Sequence, residues 1–277
     1  MIEKQFGIIG NPLSHSLSPT LHNFWFRKNN LKANYSLIKI KNNQIKNIID
    51  KIRSKELYGI NITIPYKQDV IPYVDLIVND AMETSSVNTI YLNNENRVVG
   101  ENTDVYGFEK SFINKLEEKD LDNKNILVLG AGGVTPSLIY ALIKKKIKKV
   151  FISNITLQKA ENIKKKFPSI EIIEWENFSQ KIEEMDFIIN ATSLGMKSGP
   201  DFENLIQEFK PGLIYYDAIY NPLETKMLKH FKEKNVKTFN GLEMFLFQGQ
   251  KSFSLWNKIT PTIDEEVKEK IILDLKR

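Results

Sequence analysis

The chain has 277 residues, of which 42% are hydrophobic and 26% are charged, and its formal net charge is +5. This composition is typical of a globular protein, and the length is sufficient for two domains. Cysteine is absent, which excludes disulfides and thiolate metal sites and favours a reducing compartment, the cytoplasm. No apolar run approaches about 18 residues and no basic-then-apolar leader opens the chain, so we expect no membrane partner and no secretory signal.

The excess of positive charge raises the question of a nucleic-acid partner. The lysines are mixed with acids, and the densest cluster, KKKIKK over residues 144–149, follows a helical pattern whose end favours cations. Since no aromatic residues are interleaved with this cluster, we expect no nucleic-acid partner. A positive field instead suits an anionic small-molecule substrate.

Short apolar runs alternate with longer periodic ones over the first hundred residues. The runs FGIIG, YSLIKI, YGINITI and VNTIYL predict strands. SPTLHNFWFRKNN and NNQIKNIIDKIRS predict helices, the first with Ser18 as its N-cap and Pro19 at the first helical position. This alternation predicts parallel βαβ units, and a helix from Tyr106 to about Glu118 then leads to a second unit.

The second unit begins with the strand and turn NILVLGAGGV. The pattern then predicts the helices PSLIYALIKKK and LQKAENIKKKF and the strands KVFISN, SIEIIEW, FIINATS and LIYYDAIYNP. Two closing helices are predicted over GLEMFLFQGQKSFSLWNK and EEVKEKIILDLK. We predict an α/β protein with a substrate domain over residues 1–104 that has a mainly parallel sheet. A Rossmann-type dinucleotide-binding domain follows over 105–240, and the helices over 241–277 return to the first domain.

The segment LVLGAGGV joins a buried strand to a helix through a glycine turn. Glycines allow the backbone to approach a pyrophosphate, and the helix N-terminus offers amide donors to it. Gly130 and Gly132 fit the dinucleotide pattern but Thr135 takes the third glycine position, so a turn without a ligand is the alternative. Ser153 and Asn154 stand at the end of the next strand, where an NAD site usually has an acid, and this favours NADP.

Polar residues also follow the predicted strands of the first domain. Lys67 and Asp104 each come just after a strand, Asn88 opens one, and Ser16 and Ser18 precede a helix. Each has a structural alternative: a surface lysine, a helix cap for Ser18 and Asp104, and a turn for Asn88. Parallel topology would gather most of them along one edge of the sheet, which favours a functional site.

Eight segments of the chain form an ordered series: GNPLSHSLSP, NITIPYK, SSVNTIY, GENTDVYGF, GAGGV, NATSLGM, YDAIYNP and GLEMFLFQG. They cover about residues 6–250 and resemble the motifs of the shikimate dehydrogenase family, in the same order. The resemblance implies reversible reduction of 3-dehydroshikimate to shikimate with NADPH, a step of chorismate and aromatic amino-acid biosynthesis. It also implies a cytoplasmic enzyme that is a monomer or a homodimer, with the substrate in a cleft between its domains.

The resemblance implies roles for individual residues. Lys67 and Asp104 match the catalytic pair, with Lys67 as a positioned cation and general acid, and Asp104 as the opposite charge that favours its protonated form. Ser16 and Ser18 match the serines that bind the substrate carboxylate. The full set implied to bind the substrate is Ser16, Ser18, Thr63, Lys67, Asn88, Asp104, Tyr220 and Gln248.

The residues implied to bind the cofactor are Gly130, Ala131, Gly132, Gly133, Val134, Asn154, Thr156, Lys159, Thr192, Met196, Ala218, Gly241 and Met244. The chain departs from the family signature Asn-Arg-Thr, because Ile155 stands between Asn154 and Thr156. The missing arginine would stack on adenine and pair with the 2′-phosphate. We expect NADP, with NAD as a weaker or dual cofactor, and no metal, since cysteine is absent and there are only three histidines.

Two alternatives remain open from the sequence. An NAD-using quinate/shikimate dehydrogenase is favoured by Ile155. A non-enzymatic regulator that senses the dinucleotide would keep the fold, but it predicts the loss of Lys67 and Asp104, and both are present.

Overall fold

The computed structural model describes residues 3–14, 16–117, 121, 123–145, 147, 149–197, 199–202 and 206–276. Two residues of the basic cluster, Lys146 and Lys148, and the predicted helix end at Glu118 lie outside this part of the chain. The chain divides into two compact units, Met1–Gly107 with Leu246–Arg277, and Phe108–Phe245. These divisions fall a few residues after the boundaries expected at 104/105 and 240/241.

The first unit is built on a six-stranded sheet. Its strands are β1 (Lys4–Ile9), β2 (Ala33–Ile38), β3 (Gly59–Ile62), β4 (Leu76–Ile77), β5 (Thr89–Leu92) and β6 (Val98–Glu101), in the spatial order β2-β1-β3-β5-β6-β4. Only β5 runs antiparallel to its neighbours, and the other pairings are parallel. The predicted mainly parallel sheet is therefore confirmed, although β4 had not been predicted and β6 was implied only by the position of Asp104 after a strand.

The second unit is built on a parallel sheet of six strands. Its strands are β7 (Asn125–Leu129), β8 (Lys149–Ser153), β9 (Glu171–Ile172), β10 (Phe187–Asn190), β11 (Ile214–Asp217) and β12 (Lys237–Phe239), in the order β12-β11-β10-β7-β8-β9. Counted from β7, this is the 3-2-1-4-5-6 order of dinucleotide-binding domains. In such a sheet ligands bind outside the carboxyl ends of the strands where the order reverses, here between β7 and β10.

The helices are, in chain order, α1 (Ser18–Lys28), α2 (Ile45–Arg53), α3 (Asp80–Thr84), α4 (Asp104–Ser111), α5 (Thr135–Lys144), α6 (Leu157–Lys166), α7 (Lys226–Glu233), α8 (Leu242–Asn257) and α9 (Glu265–Leu275). No helix in the described residues is both long and apolar enough to cross a membrane. The helices α3 and α7 had not been predicted, because each is too short to show a clear periodic pattern.

Two predicted helix starts need correction. Leu17 is the N-cap of α1 and Ser18 is already helical, so Ser18 does not cap this helix. The predicted helix from Tyr106 instead begins at Asp104 and ends at Ser111, with a separate 3-10 turn over Ile113–Lys115. Helix boundaries depend on the geometry of a few local hydrogen bonds, which hydrophobic periodicity does not record.

Apolar residues spaced for their elements build each core. Ile45, Ile48, Ile49 and Ile52 form one buried face of α2 and pack in a cluster with Ile60 of β3. This is the i, i+3, i+4, i+7 pattern of a helix with one apolar stripe. The central strands of the second unit are instead apolar at nearly every position and buried, as expected for a parallel sheet covered on both faces.

Candidate active site

Lys67 and Asp104 form a buried ion pair at one edge of the first sheet. The Lys67 Nζ atom lies 2.5 Å from Asp104 Oδ2. The two residues are only 9% and 7% exposed, so neither is a surface side chain. A charge this far from water must be paired and hydrogen-bonded, and each partner therefore fixes the position of the other.

Sheet topology explains why the pair forms. Lys67 follows β3 and Asp104 follows β6, and these strands point the same way with β5 between them. Because β5 runs in the opposite direction, its start lies at the edge where β3 and β6 end. Asn88, just before β5, thus joins Lys67 and Asp104 through an antiparallel strand, whereas the sequence prediction relied on parallel topology.

The two oxygens of the Asp104 carboxylate have different partners. Its Oδ2 contacts Lys67, and its Oδ1 accepts a hydrogen bond of 2.8 Å from Asn88 Nδ2. The cap of α4 is Asn102, whose Oδ1 accepts from the backbone N–H groups of Asp104 and Val105 at 3.0 and 3.3 Å. The alternative that the Asp104 side chain only caps this helix is therefore wrong.

The two serines lie together at the start of α1. The Ser16 and Ser18 hydroxyl oxygens are 3.2 Å apart, and the Ser18 backbone N–H also donates to Ser16 Oγ. Ser18 is buried and Ser16 is half-buried. Two adjacent hydroxyls at the positive end of a helix dipole are well suited to an anion such as a carboxylate.

Backbone contacts bring the serine segment next to the lysine segment. The Asn11 N–H donates to the Ile64 carbonyl at 2.8 Å, and the Thr63 N–H donates to the Ile9 carbonyl at 2.9 Å. Gly10 makes this approach possible, because a Cβ there would lie 2.2 Å from the Thr63 methyl group. Thr63, which is half-buried, thus stands between the two segments.

Helix α8 reaches the same unit from the other end of the chain. It packs against α1 at Gly249, where a Cβ would lie 2.7 Å from Leu21 Cδ2. The half-buried Gln248 is the neighbouring residue on α8. Its backbone carbonyl accepts a hydrogen bond from Ser252, one turn later. The first unit therefore assembles candidate substrate residues from both ends of the chain.

The glycine turn of the second unit is held on both sides. Gly130 has a φ of +102°, and a Cβ there would lie 2.8 Å from Thr192 Cγ2 and 2.9 Å from the Ala191 carbonyl carbon. Its N–H donates to the Ser153 carbonyl at 2.7 Å, and the Ala131 N–H donates to Asn154 Oδ1 at 2.9 Å. Only glycine fits at position 130, because both the space and the backbone conformation exclude a side chain.

The turn fits the pyrophosphate of a dinucleotide. Gly132 is exposed and a Cβ there would meet only the Ala191 carbonyl oxygen, at 3.8 Å, so the backbone is open to a ligand. Thr135, at the third glycine position, is buried and its hydroxyl donates to the Gly130 carbonyl at 3.0 Å. The threonine therefore closes the turn, and the exposed backbone at Gly132 is the part of the turn that a pyrophosphate can approach.

The residues expected near the adenosine are mostly exposed. Asn154 uses its Nδ2 group to donate to the Thr156 carbonyl at 2.9 Å and its Oδ1 to hold the glycine turn. Ile155 is 67% exposed, and Lys159 projects from the exposed side of α6. No carboxylate stands at the end of β8, in agreement with the sequence.

Three candidates for the nicotinamide end gather around β10 and β11. Asn190 Oδ1 accepts from the Thr192 N–H and hydroxyl at 3.0 and 2.7 Å, and the Ala218 N–H donates to the Asn190 carbonyl. Gly241 approaches so closely that a Cβ would lie 2.1 Å from the Ala218 oxygen. Of the two other candidates for the nicotinamide end, Met196 is exposed and Met244 is buried. The substrate candidate Tyr220 stacks on Phe245, with ring centroids 4.6 Å apart.

Asp217 connects these loops and was missed by sequence reasoning. Its Oδ1 accepts from the Ile219 N–H at 3.0 Å and from Asn190 Nδ2 at 3.1 Å, and its Oδ2 accepts from the Thr225 and Tyr215 hydroxyls. Burial raises the pKa of this carboxyl to about 6. A polar residue that closes an apolar parallel strand, as in IYYD and FIIN, is the signal that could have identified Asp217 and Asn190.

Two family models match the chain. Residues 8–90 match the shikimate dehydrogenase substrate binding domain, and residues 113–196 match the shikimate / quinate 5-dehydrogenase domain. The chain is 43% identical to the shikimate dehydrogenase (NADP(+)) of Pelagibacter ubique (strain HTCC1062), over 96% of this chain and 97% of that protein. This chain belongs to the shikimate dehydrogenase family.

Solved structures of the shikimate dehydrogenase family have the same fold as this chain. A shikimate dehydrogenase in complex with NADP+ superposes with a TM-score of 0.87 and 32% identity, over 99% of this chain and 96% of that one. The shikimate 5-dehydrogenase of Listeria monocytogenes, in complex with shikimate and NAD, superposes with a TM-score of 0.86 and 28% identity, over 97% and 96%. The predicted family, α/β fold and Rossmann-type second domain are thus confirmed.

The described residues of this member of the shikimate dehydrogenase family do not gather metal ligands at one place. Within the described ranges, no group of three or more histidine or acidic side chains could hold a metal ion. His22 is instead fully buried among aromatic rings of the first unit, stacked on Tyr35 with centroids 4.5 Å apart.

Proposed function

We propose that this protein catalyses the reversible reduction of 3-dehydroshikimate to shikimate with NADPH, in the biosynthesis of chorismate and the aromatic amino acids. The observation that carries the proposal is the buried contact of 2.5 Å between Lys67 and Asp104, in a chain of the shikimate dehydrogenase family. A non-enzymatic regulator would have no use for this pair. Removing two charges from water costs free energy that their attraction can fail to recover, so stability alone explains the pair poorly and a catalytic role explains it better.

Reduction of a ketone places negative charge on its oxygen, and this charge needs a proton or a cation. The cofactor, when bound, supplies the hydride. Lys67 stabilises the developing charge with its ammonium group and then gives a proton to the oxygen. Asp104 holds the ammonium through Oδ2, while Asn88 holds Asp104 through Oδ1. General acid assistance of this kind is typically worth about 10²–10⁴-fold in rate.

The substrate carboxylate binds to the hydroxyls of Ser16 and Ser18 in this proposal. Their separation of 3.2 Å and their place at the start of α1 support the assignment. The ring hydroxyls of the substrate then meet further polar side chains. These further substrate residues are Thr63, Lys67, Asn88, Asp104, Gln248 and Tyr220.

The cofactor binds the second unit, with the pyrophosphate at the glycine turn. The open backbone at Gly132 and the close approach of Gly130 to the segment after β10 support this assignment. The nicotinamide end meets Thr192, Met196, Ala218, Gly241 and Met244, and the adenosine end meets Asn154, Thr156 and Lys159. Lys159 is the nearby cation that favours a 2′-phosphate.

Absorbance at the reduced-nicotinamide band tests the activity directly, with purified protein, shikimate, and NADP or NAD side by side. We expect turnover with NADP and a loss of about 10²-fold or more in Lys67→Ala. Turnover of Lys67→Ala within about tenfold of the wild type would refute the general-acid role. Joint replacement of Ser16 and Ser18 by alanine should raise the KM for shikimate, and an unchanged KM would remove the carboxylate assignment.

A second candidate function is an NAD-using quinate/shikimate dehydrogenase. It is favoured by the exposure of Ile155, an apolar side chain where a 2′-phosphate would need a cation. The same assay decides between the two candidates, because equal or better turnover with NAD, or turnover of quinate, would favour the second. No turnover with either cofactor would instead revive the regulator.

We also propose that the protein acts in the cytoplasm, as a monomer or a homodimer. The absence of cysteine supports a reducing compartment. Light scattering on the eluate of a gel-filtration column would measure the oligomeric state, and a mass larger than that of a dimer would refute this part of the proposal.

A further inference from the structure

Three buried hydroxyl groups lie in contact beneath the Lys67–Asp104 pair. Ser252 Oγ is 2.8 Å from Thr89 Oγ1 and 3.2 Å from Thr103 Oγ1, and the two threonine oxygens are 3.3 Å apart. All three residues are fully buried. We call these residues, Thr89, Thr103 and Ser252, the hydroxyl cluster. Two of its members flank the β5–β6 pair, whereas Ser252 comes from α8, about 150 residues later in the chain.

The cluster surrounds the side chain of Asn88. Asn88 Oδ1 accepts from the Thr103 backbone N–H at 2.8 Å, and Asn88 Nδ2 donates to Thr103 Oγ1 at 3.0 Å and to Asp104 Oδ1 at 2.8 Å. A backbone N–H can only donate and a carboxylate can only accept, so these two partners fix the amide in one orientation. With the amide turned over, its oxygen would face the Asp104 carboxylate.

One arrangement of protons satisfies the three hydroxyls and also Asn61, whose Nδ2 donates to the cluster and lies 3.0 Å from Ser252 Oγ and 3.1 Å from Thr89 Oγ1. Thr103 accepts from Asn88 Nδ2 and donates to Ser252, which in turn donates to the Gln248 carbonyl at 3.1 Å. Thr89 also donates to Ser252, at 2.8 Å, the shortest contact of the cluster. In this circuit Ser252 accepts both threonine protons, so neither threonine needs the second lone pair of Asn88 Oδ1.

Removal of the Ser252 hydroxyl would take away the acceptor of the threonine protons. Thr103 and Thr89 would then compete for the one remaining lone pair of Asn88 Oδ1, or share a contact of 3.3 Å. That distance is beyond the usual range of a hydroxyl hydrogen bond. The Thr103 backbone N–H and the Asp104 carboxylate would still set which way the Asn88 amide points, but the amide would lose the hydroxyl contacts that hold its position, and the bond from Asn88 Nδ2 to Asp104 Oδ1 would be less tightly fixed.

We propose that Ser252 is a positioning residue for the reaction, acting through Thr103 and Asn88 on the Asp104 carboxylate and thereby on Lys67. The inference rests on the proposed function, because it assigns Ser252 a role in that turnover. Ser252 does not touch the ion pair itself, and its effect passes through the hydroxyl cluster. Such buried networks hold a catalytic group only when every member is satisfied.

Ser252→Ala tests the proposal, and Ser254→Ala is its matched control. Ser254 lies on the same helix and its hydroxyl likewise donates to the carbonyl four residues earlier, at 2.8 Å, but its other partner is Thr260 and not the cluster. With saturating shikimate and NADP, we expect Ser252→Ala to lower kcat about fivefold or more, with the KM for NADP unchanged. Ser254→Ala should stay within about twofold of the wild type in both constants.

Replacement of Thr103 provides an independent measurement if the Ser252 variant does not fold. Thr103→Val removes only the hydroxyl at constant volume and should lower kcat at least as much, while Thr103→Ser, which keeps the hydroxyl, should recover most of it. Because both residues act through one circuit, the double variant Ser252→Ala/Thr103→Val should have a kcat close to that of Thr103→Val alone.

Three results would overturn the inference. The first is a kcat of Ser252→Ala equal to that of Ser254→Ala, and the second is a double variant whose loss is the product of the two single losses. If the Ser252 variant cannot be purified, equal kcat values for Thr103→Val and Thr103→Ser would overturn it. An inactive wild type would refute the proposed function as well, which distinguishes that failure from the other three.

Discussion

His22 should make the stability of the first unit depend on pH. Its ring is fully buried in α1, with Tyr35 stacked at 4.5 Å, Trp256 at 5.2 Å and Trp25 at 5.8 Å. Neither ring nitrogen has a hydrogen-bond partner among the described residues. Burial without a partner disfavours the charged form and lowers the pKa of His22 from 6.5 to about 3.

The size of the effect follows from proton linkage. Below pH 6.5 the unfolded chain binds a proton at His22 that the folded chain rejects, so stability falls as the pH falls. Each unit between pH 6.5 and 3 costs about 1.4 kcal/mol. The loss is therefore about 2 kcal/mol at pH 5 and about 5 kcal/mol across the whole window. Above pH 6.5 both states are neutral at this residue and no loss is expected.

The perturbation is His22→Phe, which keeps an aromatic ring and removes the titration. Urea unfolding followed by the fluorescence of Trp25 and Trp256 measures the free energy of unfolding at several pH values. The free energy of the variant minus that of the wild type should be constant from pH 8 to 7 and grow by about 2 kcal/mol at pH 5. The other titrating groups cancel in this difference, so a constant difference from pH 8 to pH 5 would refute the reasoning.

Three further predictions concern the second unit. Gly130→Ala should abolish NADP binding in a calorimetric titration, because the new methyl group would lie 2.8 Å from Thr192 and the backbone has a positive φ at this position. An unchanged affinity for NADP would contradict this account of the turn. Ile155→Arg should strengthen NADP binding about tenfold relative to NAD, since it adds a cation on an exposed surface, and an equal change for both cofactors would refute the assignment. The wild-type protein should lose stability as the pH rises from about 4 to about 6, because the raised carboxyl pKa of Asp217 makes the folded state favour the protonated form, and Asp217→Asn should remove this loss. Chemical unfolding of both proteins from pH 4 to 8 measures the free energy of unfolding, and parallel curves for the two proteins would contradict the prediction.

Local patterns in the sequence predicted the parts of the fold that depend on them. The apolar stripe of α2 and the buried run of β7 have clear periods, and the glycine turn lies between a strand and a helix as its residues require. Helix α7 and the strand β12 were missed because each is short and is stabilised mainly by packing in the second unit.

The candidate site was predictable as a set of residues but not as a network. Lys67 and Asp104 stand out because each is polar and follows an apolar strand, and Asn88 because it is polar and opens one. The cap formed by Asn102 and the hydroxyl of Ser252 could not be predicted, because they depend on which side chains meet after the sheet and α8 have packed. A buried serine within a long apolar helix has no signature of its own in a single sequence.

The discontinuous first unit has a consequence for how the chain matures. Its sheet is complete in sequence by Glu101, yet Trp256 of α8 lies directly over Gly59 of β3, where a Cβ would be 2.3 Å from the indole nitrogen. That nitrogen also donates to the Ile90 carbonyl of β5 at 3.2 Å. The second unit is one continuous segment and can fold as soon as it has left the ribosome. The first unit must wait for α8 with its sheet partly uncovered. Because its late contacts span more than 150 residues, we expect them to form in the slow step of folding.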